Sequence, residues 1–387
     1  MMQYSLTHHS QQEMEQLGEI ASANLIDVEG PLDGSKEIPN CFMEIQNKSS
    51  EPTKIIYKYI SDRNKNWIRF CLVQLEYELL ENSPSTEFGW ELSNEIVIAD
   101  KVHKALKIAA SNKVDIICFP ELSFSKKLAE EISESYKDII IIGGSYYHDG
   151  YNICPILVNG YVLDPPYKKC TPSIFESPRA TGRGMKSGNI IYALQTSCGR
   201  FSVLTCSDYS AFSELLCKTL KKDKRIELDF IINPCCDPNI SRFQEKASSD
   251  CDIFAIDVIQ VNKAPEENKY GRSCIIGREH DGIIDHLVNE NFRPESDVRH
   301  KICELNKESM LIADIDIAVK GPLASITQDY EGRIKLARDK IYMFGGNEWI
   351  AVKNQEMQPT SIIPKEISSS RSETAEGSFI GLRLRDN

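Results

Sequence analysis

No apolar run in this chain approaches the roughly 20 residues that a membrane-spanning helix needs. Its first residues, Met1-Met2-Gln3-Tyr4-Ser5, lack the charged-then-apolar profile of a secretory signal. Both absences lead us to expect a cytoplasmic protein with no membrane partner. Positive charge is also short: 57 acidic residues against 45 Lys and Arg give a net charge of −12. That balance argues against an anionic membrane surface or a nucleic-acid backbone as the main partner. Cysteine is plentiful but unorganised, with 13 residues, an odd number, and no CxxC pair. This pattern fits a reducing compartment and disfavours both a disulfide framework and structural zinc. None of the seven histidines has zinc-binding spacing or an evident place in a Cys-His dyad. GxSxG, GxGxxG and Walker A motifs are missing, which removes the minimum evidence for serine-hydrolase, dinucleotide and NTPase readings. No metal and no cofactor are expected.

What is present describes an ordinary globular chain of 387 residues, 41% hydrophobic and 26% charged. Residues 1–65 read as a polar extension, with helical potential at Gln11 to Asn24 and turn signals at Gly30-Pro31 and Asp33-Gly34. Residues 66–320 read as the folded domain and 321–387 as a C-terminal arm, its part beyond Gln355 dense in Ser, Glu, Thr and Pro. Strands are expected at Trp67 to Leu75, Val114 to Phe119, Asp138 to Gly143, Tyr151 to Val158, Ile190 to Leu194, Leu228 to Ile232 and Met310 to Ile317. Pro84 to Leu92 reads as a loop insertion. Ile98, Val102, Ala105, Leu106 and Ala109 recur at helical spacing. Strands interleaved with helices indicate a layered α/β fold.

Three strand ends carry chemistry. Arg200 to Cys206 reads as a strand that delivers a thiol to the mouth of a helix over Ala211 to Leu220, with Ser207-Asp208 as N-cap residues. The partial positive charge of a helix N-terminus predicts a thiolate-favouring setting for Cys206, although a buried apolar cysteine is the plainer alternative for that residue alone. Val114 to Phe119 stops at Pro120-Glu121, placing a carboxylate just past a strand. Between them lies the proline-bracketed turn Asp164 to Pro172, carrying Lys168-Lys169, with Glu176 seven residues past Lys169. A base, a cation and a nucleophile at converging strand ends form a candidate active site.

These segments resemble the nitrilase superfamily, the carbon–nitrogen hydrolases with a Glu-Lys-Cys triad. Phe119-Pro120-Glu121 is similar to the family's base motif, Tyr167-Lys168-Lys169 to its Tyr-x-Lys motif, and Gly199 to Asp208 to its nucleophile strand. Phe230 to Pro234, Val258 to Asn262 and Gly271-Arg272-Ser273 resemble the segments that follow, in the family's order. The chain departs from the pattern at Ser202, where a glycine is usual, and at Cys170-Thr171, where His-Leu is usual. Glu176 stands one residue nearer the lysine, and the Arg-Ala-x-Glu-Asn pattern is not recognisable at Ala247 to Asp252.

The resemblance implies a four-layer αββα sandwich, paired through its helices into a homodimer or higher homo-oligomer. It implies Glu121, Lys169 and Cys206 as the catalytic triad, with Glu176 as a second glutamate that holds the lysine or the substrate. Tyr167, Ser207, Asp208 and Asn262 are the candidate substrate-binding residues. The implied reaction is cleavage of a small molecule's amide, carbamoyl or nitrile C–N bond, with amide transfer to an acceptor also open. The competing reading is a sensing or interaction module that works in a multi-protein assembly, with a protein partner bound through the terminal extensions.

Overall fold

A computed structural model describes residues 42–45, 53–83, 87–178, 183–222, 227–264, 266, 269–276, 300–302, 307–317 and 334–351. The helix and turns anticipated before residue 41 and the tail beyond Gln355 lie outside the described residues. Among the described residues two sheets of eight strands dominate. In the first, the order from edge to edge is Phe42–Ile45, Thr53–Tyr59, Ile190–Thr196, Gly199–Val203, Phe230–Pro234, Asp257–Val261, Cys274–Ile276 and His300–Ile302. In the second it is Tyr161–Val162, Ile156–Val158, Ile140–Ile142, Ile116–Cys118, Trp67–Gln74, Ser309–Asp316, Ile334–Gly345 and Glu348–Ala351.

The sheets stack face to face because their central strands are apolar on both sides. Phe70, Ile116 and Leu311 of the second sheet share one buried cluster with Tyr192, Phe201 and Phe230 of the first. Strands buried on both faces read as continuous apolar runs, which is why they stand out in the sequence. Helix α1 (Glu95–Ser111) and helix α2 (Lys126–Ser133) cover the outside of the second sheet, burying Val102, Leu106 and Leu128 against Val73 and Ile141. Helix α3 (Ser207–Lys222) and helix α4 (Ser241–Phe254) cover the first, through Phe212, Leu216, Phe243 and Ala247. The result is the four-layer αββα sandwich. Asn94 caps α1 by accepting from Val97 N–H at 3.3 Å, and Ser125 caps α2 through Leu128 N–H at 3.2 Å.

The domain limits drawn from composition are too narrow. Thr53–Tyr59 runs parallel to Ile190–Thr196 inside the first sheet, with Ile55 and Tyr57 buried under the helices. Its Thr-Lys-Ile-Ile-Tyr-Lys-Tyr pattern buries alternate residues, so it is part of the layered core, not of an extension. At the other end, Ile334–Gly345 and Glu348–Ala351 extend the second sheet past residue 320. Trp349 is buried there and donates from Nε1 to Lys101 O on α1 at 3.1 Å.

Tyr151 to Val158 is likewise not one strand. Pro155 has no N–H to give a ladder, and the chain changes sheets at it. Tyr151–Cys154 joins a three-stranded sheet with Tyr146–His148 and Tyr167–Lys168, while Ile156–Val158 pairs with Ile140–Ile142. The segment read as a loop insertion contains a strand, Trp90–Leu92, paired with Leu79–Glu81.

Candidate active site

Four strands end at one place: Ile116–Cys118, Gly199–Val203, Phe230–Pro234 and Tyr167–Lys168. Gly199–Val203 and Phe230–Pro234 run parallel to each other in one sheet, as Ile116–Cys118 does to both its neighbours in the other, and their carboxyl ends gather Glu121, Cys206 and Cys235-Cys236 on the same edge of the sandwich. Direct contacts tie the edges together. Glu121 N–H donates to Cys235 O at 3.2 Å, and Cys236 N–H donates to Glu121 Oε2 at 3.1 Å.

The turn carrying Glu121 is tightly built. Leu122 takes a positive φ of 62°, Ser123 Oγ donates to Pro120 O at 2.7 Å, and Tyr77 OH donates to Glu121 O. Gly144 packs directly on this turn: a Cβ there would lie 1.9 Å from Ser123 Oγ and 2.2 Å from Pro120 O. Gly144 therefore serves close approach to the Glu121 turn, while Gly143 makes room for Pro155 and Phe124.

Lys169 is 1% exposed, with Nζ 2.7 Å from Glu121 Oε1 and 2.6 Å from Glu176 Oε2. The one-residue-shorter spacing to Glu176 thus still brings that carboxylate onto the lysine. Asn152 completes the group, its Nδ2 donating to Glu121 Oε1 at 3.0 Å and to Glu176 Oε1 at 3.1 Å. Glu176 also accepts from Tyr147 OH at 2.5 Å and from Ser173 N–H at 2.8 Å.

These contacts separate the two carboxylates electrically. For Glu176 burial favours the neutral acid, but the Lys169 charge and the hydrogen bonds outweigh it and push its pKa down to about 2. For Glu121 burial wins over the attraction of Lys169, and the nearby Glu176 adds to it, so its pKa is raised. Burial also works against the Lys169 ammonium, yet the two carboxylates hold its pKa well above the ordinary value. One acid is thus a fixed counter-ion, and the other is fit to take a proton.

Cys206 follows its strand through Leu204 and Thr205 and stands in the left-handed region, φ 50°. Helix α3 begins at the next residue. Cys206 is 4% exposed, and its thiol lies near enough to the Glu121 carboxylate for each group to shift the other's titration. The expected thiolate-favouring setting is overturned. Burial pushes the thiol pKa well above the usual value, Glu121 adds to this, and Lys169 only partly opposes it. Desolvation in the layered core outweighs the helix end, leaving a neutral thiol beside a proton acceptor.

The other sequence-derived candidates surround this centre as a frame. Tyr167 OH donates to Asp208 Oδ2 at 2.6 Å and accepts from Thr205 N–H at 3.1 Å. Asp208 also accepts from Cys170 N–H at 2.8 Å and Thr171 N–H at 2.6 Å, so it ties the lysine turn to the nucleophile turn. It does not cap α3 through its side chain as anticipated. Burial pushes its pKa up to about 6 against these bonds. Ser207 Oγ donates to Thr171 O at 2.6 Å. Asn262 braces the next loop, accepting from Asp237 N–H at 3.0 Å and donating from Nδ2 to Asp237 O at 2.9 Å and Gly271 O at 3.0 Å.

Sequence reasoning missed Asn152, Tyr147 and Tyr77. An asparagine inside the buried strand Tyr151–Cys154 was the available signal, since an amide there needs a specific partner. Among the described residues no group of three or more His, Cys, Asp or Glu side chains could hold a metal ion, and every described cysteine is a free thiol. Among the described residues no helix is long and apolar enough to cross a membrane.

No family model and no curated protein sequence matches the chain. Solved structures do align with it. A glutamine-dependent NAD+ synthetase from Acinetobacter baumannii is 15% identical, with a TM-score of 0.46 over 65% of this chain and 46% of that protein, so the chain spans less than half of its length. Nit3 of Saccharomyces cerevisiae, described as a nitrilase-superfamily member, is 19% identical over 56% of this chain and 85% of its own, with a TM-score of 0.41. A CN-hydrolase superfamily protein from Xanthomonas campestris is 14% identical over 65% and 91%, with a TM-score of 0.46. At such identities and scores the chemistry has to be judged on the site itself.

Proposed function

We propose that the chain is a carbon–nitrogen hydrolase of the nitrilase type, cleaving a non-peptide C–N bond of a small molecule through a thioester on Cys206. The observation that supports this is one carboxylate, Glu121, paired with the Lys169 ammonium at 2.7 Å and electrically coupled to the Cys206 thiol, with Glu176 paired to the same lysine. The thiol is neutral at rest, so attack needs a base in contact with it. Glu121 takes the Sγ proton as sulfur adds to the substrate carbonyl carbon. The Lys169 ammonium and the N–H of Ser207, first in α3 and without an intrahelical acceptor, stabilise the oxyanion. Protonated Glu121 then gives its proton to the departing nitrogen. Water attacks the thioester with Glu121 again as base, releasing acid and restoring the thiol. Glu176 stays ionised and holds Lys169 in place. Tyr167, Asp208 and Asn262 act by fixing the turns around the pocket.

A deep site with little exposed surface suits a small substrate, and a reducing, cytoplasmic setting keeps the thiol free. No cofactor enters the steps. Pairing of copies through the outer helices is part of the proposal, and sedimentation of the full chain tests it.

The deciding experiment is mass-spectrometric trapping of an acyl-enzyme against amides, nitriles and carbamoyl compounds. An adduct confined to the Cys206 peptide, and absent after Cys206→Ala, is expected, and the reacting compounds identify the bond cleaved. No adduct with any compound, together with undiminished biological activity of the Cys206→Ala chain, would return the protein to the interaction-module reading.

A further inference from the structure

The left-handed conformation of Cys206 needs something to hold it, because an L-residue there is strained. Its N–H supplies the hold by donating to two acceptors at once, Pro234 O at 2.9 Å and Asn233 Oδ1 at 2.9 Å. Asn233 lies on Phe230–Pro234, the strand running parallel beside the nucleophile strand, and is fully buried. Nothing else about this site calls for an amide. Its neighbours at alternate positions, Ile231 and Cys235, belong to the apolar layer under α3 and α4. Among the described residues Asn233 Nδ2 is buried with no hydrogen-bond partner. Leaving a buried donor unmade is unfavourable, and a leucine of similar shape would avoid it. Among the described residues the side chain's one hydrogen bond is to the main chain of the cysteine.

We propose that Asn233 is a positioning residue for the reaction, holding the Cys206 backbone so that the thiol is presented to Glu121, at a cost in stability. The inference rests on reading Cys206 as the nucleophile. Pro234 O alone still accepts the N–H when Asn233 Oδ1 is removed, but the second anchor is gone. The cysteine can then relax toward ordinary negative φ and swing its sulfur off the base. A displacement on the scale of an ångström costs on the order of a hundredfold in rate.

The test uses the full chain and iodoacetamide, following alkylation of each cysteine by peptide mass spectrometry across a pH series, with a thermal melt of each variant. In Asn233→Leu the Cys206 rate should fall about ten- to a hundredfold while Tm stays level or rises. In Asn233→Asp the acceptor remains but a buried carboxylate opposes thiolate formation. Its pH profile for Cys206 should therefore move to higher pH. A leucine variant alkylated at the wild-type rate overturns the proposal, as does a rate that falls only in step with Tm. If the leucine variant does not fold, Asn233→Ala takes its place: a loss of about tenfold or more in the Cys206 rate in folded protein supports the role and a wild-type rate overturns it. Wild-type Cys206 reacting no faster than the partly exposed Cys236 defeats the nucleophile reading instead, and the positioning role with it.

Discussion

The Lys169 ammonium and the Glu121 carboxylate meet at 2.7 Å with side-chain exposures of 1% and 3%, an ion pair almost sealed from water. Removing one member of such a pair strands the other charge. Lys169→Ala leaves Glu121 and Glu176 facing each other across Asn152, so it should cost about 3–5 kcal/mol of stability as well as catalysis. Glu121→Gln removes the base but keeps an oxygen toward the ammonium, which retains Glu176. Its stability loss should be clearly smaller, while acylation of Cys206 is abolished. Urea melts of the two variants check the order, and equal losses would contradict the assigned roles.

Cys206 at φ 50° offers a separate test of strain. Alanine keeps the Cβ that disfavours left-handed backbone, whereas glycine does not. Cys206→Gly should therefore be more stable than Cys206→Ala by roughly 1 kcal/mol, both being inactive. Equilibrium unfolding of the pair measures it, and an alanine variant equal to or above glycine would deny the strained turn.

Two carboxylates give opposite pH signatures. The Glu176 pKa falls from 4.5 to about 2 on folding, so its stabilisation is complete above pH 4.5 and is lost as pH drops toward 2. The Asp208 pKa rises from 3.8 to about 6, so its ionisation disfavours the folded state progressively as pH climbs through that window. The stability gap between wild type and Glu176→Gln should be flat above pH 5 and narrow below 4.5. For Asp208→Asn, wild type should gain relative to the variant on acidification from neutral pH to about 4. Melts across pH resolve both trends.

Deleting residues 1–60 should destroy the cooperative melt. Thr53–Tyr59 supplies a core strand, and Ile190–Thr196 loses its parallel partner without it. Tyr57, 2% exposed and donating to Gln195 Oε1 at 2.5 Å, is the most sensitive point. Tyr57→Ala should cost about 3–5 kcal/mol, as for other large buried aromatics. A truncated chain that stays soluble with an unchanged melting transition would remove this strand from the core.

The doubly buried strands were legible because each leaves a local mark, a continuous apolar run, and the candidates Glu121 and Cys206 stand just past such strands, whereas Lys169 is marked only by its proline-bracketed turn. Thr53–Tyr59 was hidden by its polar surroundings, since an alternating strand among charged residues looks like an extension until its partner is known. Ile334–Gly345 depends on pairing with Ser309–Asp316, a non-local contact that no short window contains. The protonation of Cys206 was misjudged for a related reason. A helix end is visible in sequence, but the desolvation that outweighs it comes from layers distant in the chain. Within Tyr151 to Val158 the local signal of the break is Pro155, which has no N–H to give a ladder.

Asn152, like Lys169, bridges the two carboxylates, its Nδ2 at 3.0 Å from Glu121 and 3.1 Å from Glu176. Asn152→Asp exchanges that donor for an acceptor of the same size. A third carboxylate then faces two others around a single ammonium, so the introduced acid should bind its proton more tightly in the folded state than in the unfolded one. The variant is therefore penalised most at neutral pH, and its stability deficit relative to wild type should shrink as pH falls toward 5. Its added charge also favours the protonated form of Glu121, which weakens the base. Alkylation of Cys206 by iodoacetamide should slow accordingly, with a pH profile displaced to higher pH. Asn152→Ala provides the control: it loses the bridge but adds no charge, so its deficit should not vary with pH in the same way. Parallel melts and alkylation series on the two variants separate charge from packing. Identical pH trends in both would show that the amide's donor role at this point does not matter.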